Sequence, residues 1–330
     1  MQRYRFRSLN DHPASTRPLQ QALAFYAFVP LDQLEAQQQT LLNLGAELNL
    51  KGTILLATEG INGTVVGTSG ALDDLEAFLT RRFGDIPCKR STLAEGNPGF
   101  YRFKVKIKAE IVSFGVKGLD IDNNGQHVDA ARWNELLSDP HTMVLDTRNQ
   151  YEVDIGTFPG AVSPETTNFR EFPAWVAEHL DTSRHRQIAM FCTGGIRCEK
   201  ASAYLLAQGF DEVYQLDGGI LKYLEDVAPE ENRWQGECFV FDQRVSVNEH
   251  LHQGSYQQCF ACRHPVSAED MASPLYEQGV QCPHCADQIS DPERQGFRER
   301  QKQVELASKR GEHHIGGAAA STGELSKGCR

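Results

Sequence analysis

Apolar and polar positions change period several times along this chain, and the changes divide it into segments. The run Leu23 to Val29 predicts a strand. After Pro30-Leu31-Asp32, apolar residues at Leu34, Leu41, Leu42 and Leu44 predict a helix. Thr53–Ala57 and Gly63–Gly67 read as two more strands, with the turn-rich stretch 58–62 between them. A second helix over about 71–83 places Leu72, Leu75, Phe78 and Leu79 on one face. Tyr101 to Ile107 then alternates strictly: Phe103, Val105 and Ile107 are apolar, while Arg102, Lys104, Lys106 and Lys108 are cationic. With that stretch as the last strand, the order β-α-β-β-α-β predicts a ferredoxin-like α+β domain over 19–117. Residues 1–18, polar and holding Pro13 and Pro18, are expected to form a flexible leader.

From Gly118 the pattern becomes short apolar strands alternating with helices, which predicts a parallel α/β sheet over 118–228. Val128–Trp133 starts a short helix, and Met143-Val144-Leu145 is a buried strand that runs into Asp146-Thr147-Arg148. Gln187–Phe191 is another, followed by Cys192-Thr193-Gly194-Gly195-Ile196-Arg197-Cys198. A helix over 197–208 follows, with Cys198, Ala201, Tyr204 and Leu205 on one face. A cysteine between a strand end and a helix start lies under free N–H groups and the positive helix end. Both favour the reactive thiolate.

After Pro229 a charged linker is expected to run to 258. Trp234, Cys238, Phe239, Phe241 and Val245 within it are expected to pack on a neighbouring domain. Cys259-Phe260-Ala261-Cys262 and Cys282-Pro283-His284-Cys285 follow, nineteen residues apart. That is the spacing of a closed four-thiolate zinc site, so Cys259, Cys262, Cys282 and Cys285 are expected to hold a structural zinc in a small module over 259–290. The alternative is two redox Cys-x-x-Cys pairs, but neither pair opens an evident helix. Residues 291–330 are expected to form a short helix and then a charged, disordered tail. Cys88, Cys238 and Cys329 are read as ordinary free thiols.

Composition narrows the chemistry. The 330 residues carry a formal charge of −11, which excludes a generally basic nucleic-acid binder; any such contact needs a local patch. The four cations of the 101–108 strand would line one face over roughly 20 Å and could supply it. The bland alternative is a solvated edge whose lysines discourage strand pairing. With no apolar leader at Met1–Arg7, no spanning segment and two Cys-x-x-Cys pairs, a cytoplasmic, disulfide-free protein without a membrane partner is expected.

Several pieces in order resemble the rhodanese domain family: Asp146-x-Arg148, Glu152, Pro159-Gly160-Ala161, the Cys192 loop and Leu216-Asp217-Gly218-Gly219-Ile220. Four residues separate Cys192 from Arg197, one fewer than a cysteine-dependent phosphatase requires to encircle phosphate, so a smaller anion or persulfide suits the loop better. Arg197 could contact Asp146 or hold an anionic substrate at the pocket edge. Asp146 and Arg148 read as scaffold, and Glu152 as either scaffold or catalyst. Cys198 is either a buried core thiol or a resolving partner.

The longer strings Glu59–Thr64, Lys104–Val112, Arg148–Val153 and Phe191–Lys200 make the resemblance more specific. Over about 20–290 the chain resembles the bacterial rhodanese-domain tRNA uridine hydroxylases, in which Thr147 stands where an aliphatic residue is expected. The resemblance implies oxygen-dependent formation of 5-hydroxyuridine at the wobble position, molecular oxygen as co-substrate, the tRNA anticodon loop as partner and Cys192 as the catalytic residue. No two-histidine-one-carboxylate or dinucleotide pattern indicates iron or flavin. No stable protein partner is evident. The competing readings are persulfide transfer on Cys192 and a non-catalytic RNA-binding role.

Overall fold

The computed structural model describes residues 19–310; the expected leader, the last twenty residues and Cys329 lie outside them. The N-terminal unit begins with β1 (Gln20–Phe28), α1 (Leu34–Glu47), β2 (Lys51–Ala57) and β3 (Gly60–Thr68). It continues with α2 (Ser69–Phe83), β4 (Cys88–Thr92) and β5 (Phe103–Ile107). The sheet order is β4-β1-β3-β2-β5. Leu23, Phe25, Ile54, Leu56, Ile61 and Val65 point to one face, where Leu41, Leu72, Leu75 and Leu79 of the two helices cover them.

One strand assignment is corrected. The strand that completes the ferredoxin-like unit is β4, antiparallel to β1, and not Tyr101–Ile107. β5 is an added edge strand, parallel to β2. β4 escapes a periodicity search because Cys88-Lys89-Arg90-Ser91-Thr92 has no apolar alternation; its side chains find polar partners on both faces. Arg90 points to the helix side and pairs with Asp73 (2.7 Å) and Glu76 of α2. Lys89 points the other way, as described below. On β5, Phe103, Val105 and Ile107 are turned inward, and Arg102, Lys104, Lys106 and Lys108 are all exposed, as the alternation predicts.

The central unit contains β6 (Gln126–Val128), α3 (Ala130–Ser138), β7 (Thr142–Asp146), α4 (Gln150–Val153) and β8 (Gly156–Thr157). After these come α5 (Phe172–His179), β9 (Gln187–Phe191), α6 (Ile196–Ala207), β10 (Glu212–Leu216) and α7 (Gly219–Asp226). Its parallel sheet, ordered β6-β10-β9-β7, is covered on both sides. Asp129 caps α3 by accepting the Arg132 N–H at 2.9 Å, so the helix starts two residues later than Val128, which ends a strand. Cys198, Ala201 and Leu205 share the buried face expected of α6, with Tyr204 packed beside them.

Residues 229–258 are folded onto the central unit and do not hang between domains. Here β11 (Gln235–Gly236) pairs with β8, and β12 (Cys238–Phe239) pairs with β13 (Ser246–Val247). Trp234, Cys238, Phe239 and Val245 are buried as expected, whereas Phe241 is not: it is 57% exposed. β14 (Gln257–Gln258), β15 (Pro265–Val266) and α8 (Ala268–Ala272) then frame the four-cysteine module. The charged segment after it forms α9 (Asp291–Lys309), a longer helix than the short one expected there, and the tail expected beyond it lies outside the described residues. Ser290 and Glu293 form a capping box with Pro292 in the first turn, and Arg298 pairs with Glu277, so polar partners replace a broad apolar face.

Candidate active site

Cys192 follows β9, whose residues Ile188 to Phe191 are fully buried, so the strand end is fixed before the loop begins. The loop is clamped from the far side by the start of α7. The Ile220 and Leu221 N–H groups donate to the carbonyls of Cys192 (3.0 Å) and Thr193 (3.1 Å). Gly219, at φ +68°, lets that helix start approach; a Cβ there would collide with the Cys192 carbonyl. Gly195, at φ +100°, turns the chain back so that its N–H donates to Cys192 Sγ at 3.1 Å.

Burial alone would push the Cys192 thiol up. The Cys198 side chain, the Arg197 charge and the backbone N–H groups of Arg197 and Gly194 outweigh it and bring the thiol down to about 5. Cys198 moves the opposite way, raised by burial and by the neighbouring Cys192. Thr147, the departure within Asp-x-Arg, donates to the Phe191 carbonyl at 3.0 Å and lies 3.7 Å from Cys198 Sγ. Alkylation of Cys192 by iodoacetamide is expected to climb as pH rises through about 5 and to be flat at neutral pH, because the thiolate forms above its own pKa. An inflection near the ordinary thiol value of about 8.5, followed by mass spectrometry of the Cys192 peptide, would contradict this assignment.

Of the supporting residues, Asp146 and Arg148 form a closed, fully buried pair: Arg148 Nε and Nη2 donate to the two Asp146 oxygens at 2.8 and 2.6 Å. Arg148 also donates to the Glu152 and Gly156 carbonyls, so it ties the segment after β7 together. Asp146 is therefore not the partner of Arg197. That partner is Glu152, whose carboxylate accepts Nη1 at 2.6 Å and Nη2 at 2.8 Å. Burial would raise the Glu152 pKa, but Arg197 and Arg148 hold it below the usual carboxylate range. Thr193 Oγ1 lies 3.4 Å from the same carboxylate. Glu152 thus orients Arg197, and Ile196 opens α6 beside them.

The N-terminal domain completes the site with residues that sequence reasoning missed. Lys89 donates from Nζ to the carbonyl of Gly194 at 2.9 Å and to that of Gly218. Burial lowers its pKa to about 8, while Cys192 and Asp217 pull it upward. Tyr26 donates to Glu199 at 3.0 Å, and a Cβ on Gly195 would lie 2.8 Å from the Tyr26 hydroxyl. Lys200, beside Glu199 in α6, reaches back to Glu59 (2.8 Å), Glu110 (3.0 Å) and the Val112 carbonyl (3.1 Å). Three of the strings that carry the family resemblance therefore meet at one interface. Glu59, Glu110 and Lys200 stand in those strings without any sign of whom they pair with, and Lys89 and Tyr26 stand in none of them.

Between the open sheet face and the Cys192 loop lies a cleft of about 1460 Å³. Thr53, Leu55, Asn62 and Thr64 form part of its floor, Cys192 and Arg197 its opposite wall, and Lys108 of the basic strand its rim. Lys104 and Lys106 pair in register with Thr53 and Leu55, and so share that face of the sheet.

The four cysteines of the C-terminal module converge as the spacing predicts: their sulfurs all lie within 4.8 Å of one another. Cys259–Cys285, Cys262–Cys282 and Cys282–Cys285 are separated by 3.9, 3.7 and 3.8 Å. Four thiolates at about 2.3 Å from a tetrahedral zinc would be about 3.8 Å apart, so the cluster is compatible with zinc and leaves no open position.

A parallel sheet ending in a short glycine-turned loop around a low-pKa cysteine defines a rhodanese-type domain, here covered by a second domain. Residues 20–111 match the UPF0176 acylphosphatase-like domain and residues 129–226 match the rhodanese-like domain, together more than half of the chain. The protein belongs to the family that joins these two domains. Among solved structures, it is similar to a rhodanese-like domain from Anabaena sp., at 23% identity over 33% of this chain and 78% of that one, with a TM-score of 0.27. A rhodanese-related protein from Thermoplasma volcanium matches at 22% identity over 32% and 95%, with a TM-score of 0.26. A rhodanese-like domain protein from Staphylococcus aureus matches at 21% over 30% and 90%, with a TM-score of 0.25. Among the described residues no helix is long and apolar enough to cross a membrane.

Proposed function

We propose that this protein is a tRNA-modifying oxidoreductase that hydroxylates C5 of the wobble uridine, with Cys192 as its nucleophile. The observation that carries the reading is the placement of the Cys192 thiolate. It opens into a large cleft shared with a domain whose exposed edge strand carries Arg102, Lys104, Lys106 and Lys108. A small-anion sulfurtransferase needs neither that volume nor that cationic edge. An unstacked base from an anticodon loop needs both, because RNA loops are recognised by splayed bases and phosphate contacts.

Addition of Cys192 Sγ to C6 of uracil would push the C5–C6 electron pair onto C5, making it nucleophilic. Oxygen from O2, brought to the peroxide level by two electrons and two protons from an external donor, is then attacked by C5; the O–O bond breaks and water leaves. Loss of the C5 proton and departure of Sγ restore the double bond and the thiolate. Arg197, fixed by Glu152, supplies positive charge near the developing enolate, and Lys89 braces the loop.

The test is mass spectrometry of tRNA nucleosides from a deletion strain complemented with the wild type or with Cys192→Ala. The expected result is 5-hydroxyuridine and its derivatives restored by the wild type only; unchanged nucleosides in the deletion strain would refute the reading. The match of residues 129–226 to rhodanese-like domains favours sulfur transfer as the second reading. A thiosulfate sulfurtransferase assay run beside tRNA hydroxylation separates the two.

The four-cysteine module is read as a structural zinc site. Stripping the metal with a strong chelator is expected to raise hydrogen exchange across residues 257–290 while leaving β9 and β10 protected, because structural zinc supplies folding energy to so small a core. Unchanged exchange in that segment after metal loss, checked by elemental analysis, would refute this role.

A further inference from the structure

We propose that Phe241 is the stacking platform for the nucleobase presented to Cys192, an inference that rests on the RNA-directed reading of the cleft. Phe241 is the one aromatic among the exposed large apolar side chains of the described residues. It lines the same cleft as Cys192. The Arg197 guanidinium lies 6.0 Å from the centre of its ring, and Phe239 meets it edge-on at 5.1 Å.

The ring is held outward and is not merely left out of the core. Its neighbours Val240 and Asp242 are both buried, at 5% and 4% exposure. Asp242 accepts from Arg244 Nε at 2.9 Å, and Arg244 reaches Ser91 of β4 at 2.7 Å. Gln243 N–H donates to the Gly99 carbonyl at 2.8 Å, a second tie to the N-terminal domain. Val245 closes the turn at φ 66°, an unfavourable backbone state for a β-branched residue, which persists only where surrounding contacts over-determine it. A rigid, solvent-facing aromatic beside a guanidinium and across from a cationic strand is suited to a flat, polyanion-borne ring. Stacking of this kind is sequence-tolerant, because every base offers a π-face. An apolar peptide would gain nothing from Lys104, Lys106 and Lys108.

The test measures binding of an anticodon stem-loop RNA to the full-length protein in a Cys192→Ser background, by fluorescence anisotropy. A second RNA of the same sequence lacks only the wobble base. Phe241→Ala is expected to weaken binding of the intact loop about tenfold, and Phe241→Trp to preserve it. The abasic loop is expected to bind equally well with and without the Phe241→Ala substitution. Unchanged affinity of Phe241→Ala for the intact loop would overturn the proposal, as would an equal loss for both RNAs. If the protein that retains Phe241 binds neither RNA, the RNA-directed reading of the cleft falls with it, an outcome distinct from failure of the platform alone.

Discussion

Replacing Cys192 by alanine is expected to lower 5-hydroxyuridine formation by about 10³-fold or more, with little change in RNA affinity. The thiolate exists because the geometry of the loop favours it: Gly195 N–H at 3.1 Å, the Arg197 charge and the neighbouring Cys198 side chain all lower the thiol pKa. Alanine offers no nucleophile to C6, and serine, although nearly isosteric, keeps its proton at neutral pH. Single-turnover rates on a stem-loop RNA measure the loss. Trapping with 5-fluorouridine at the wobble position checks its origin, since the wild type should form a covalent adduct and the alanine variant none. A Cys192→Ala enzyme within tenfold of wild type would remove Cys192 from the chemistry. Cys198→Ala is expected to act more mildly, by raising the Cys192 pKa through loss of the neighbouring side chain that now lowers it.

The second large effect is on stability. Arg148→Met is expected to destabilise the central domain by about 3–5 kcal/mol, because Asp146 would be left as an unpaired, fully buried carboxylate. Thr157 Oγ1, at 3.0 Å from Asp146, cannot replace a bidentate guanidinium. The midpoint of urea denaturation, followed by intrinsic fluorescence of Trp133 and Trp234 in the same core, reports it. Removing both charges with Asp146→Leu and Arg148→Met should recover part of the loss. A single variant as stable as wild type would show that the pair is solvated in ways its burial denies.

The readable and unreadable parts of this chain divide along a physical line. Elements whose pattern is local came through from the residues themselves: the apolar run into Cys192, the two Cys-x-x-Cys pairs, and the alternating cations of 102–108. β4 did not, since a strand with polar partners on both faces has no period to find. For Arg197 two roles stayed open, contact with Asp146 or a hold on an anionic substrate, and neither named Glu152, the group that faces it. Tyr26, Lys89 and Lys200 lay beyond reach for a different reason. Their partners are more than ninety residues away in most cases, and Tyr26 meets Glu199 across 173 residues. Hydrophobic periodicity encodes which face of an element is buried, and says nothing about which domain covers it. Phe241 illustrates the converse: an apolar residue among apolar residues is assumed to pack, and only the turn at Val245 shows that it is held out.

The buried grip of Lys200 on Glu59 and Glu110 bears on how such a protein can be inherited and rebuilt. A rhodanese domain excised from this chain would expose the start of α6, where Lys200 loses both acids that pair with it, Glu59 and Glu110, while Glu199 loses Tyr26 and keeps Asn124, His127 and Gln215. The two domains are therefore not interchangeable cassettes. A chimaera that imports another N-terminal domain must bring acids at the positions of 59 and 110, and drift at any one of the three sites obliges the others to follow.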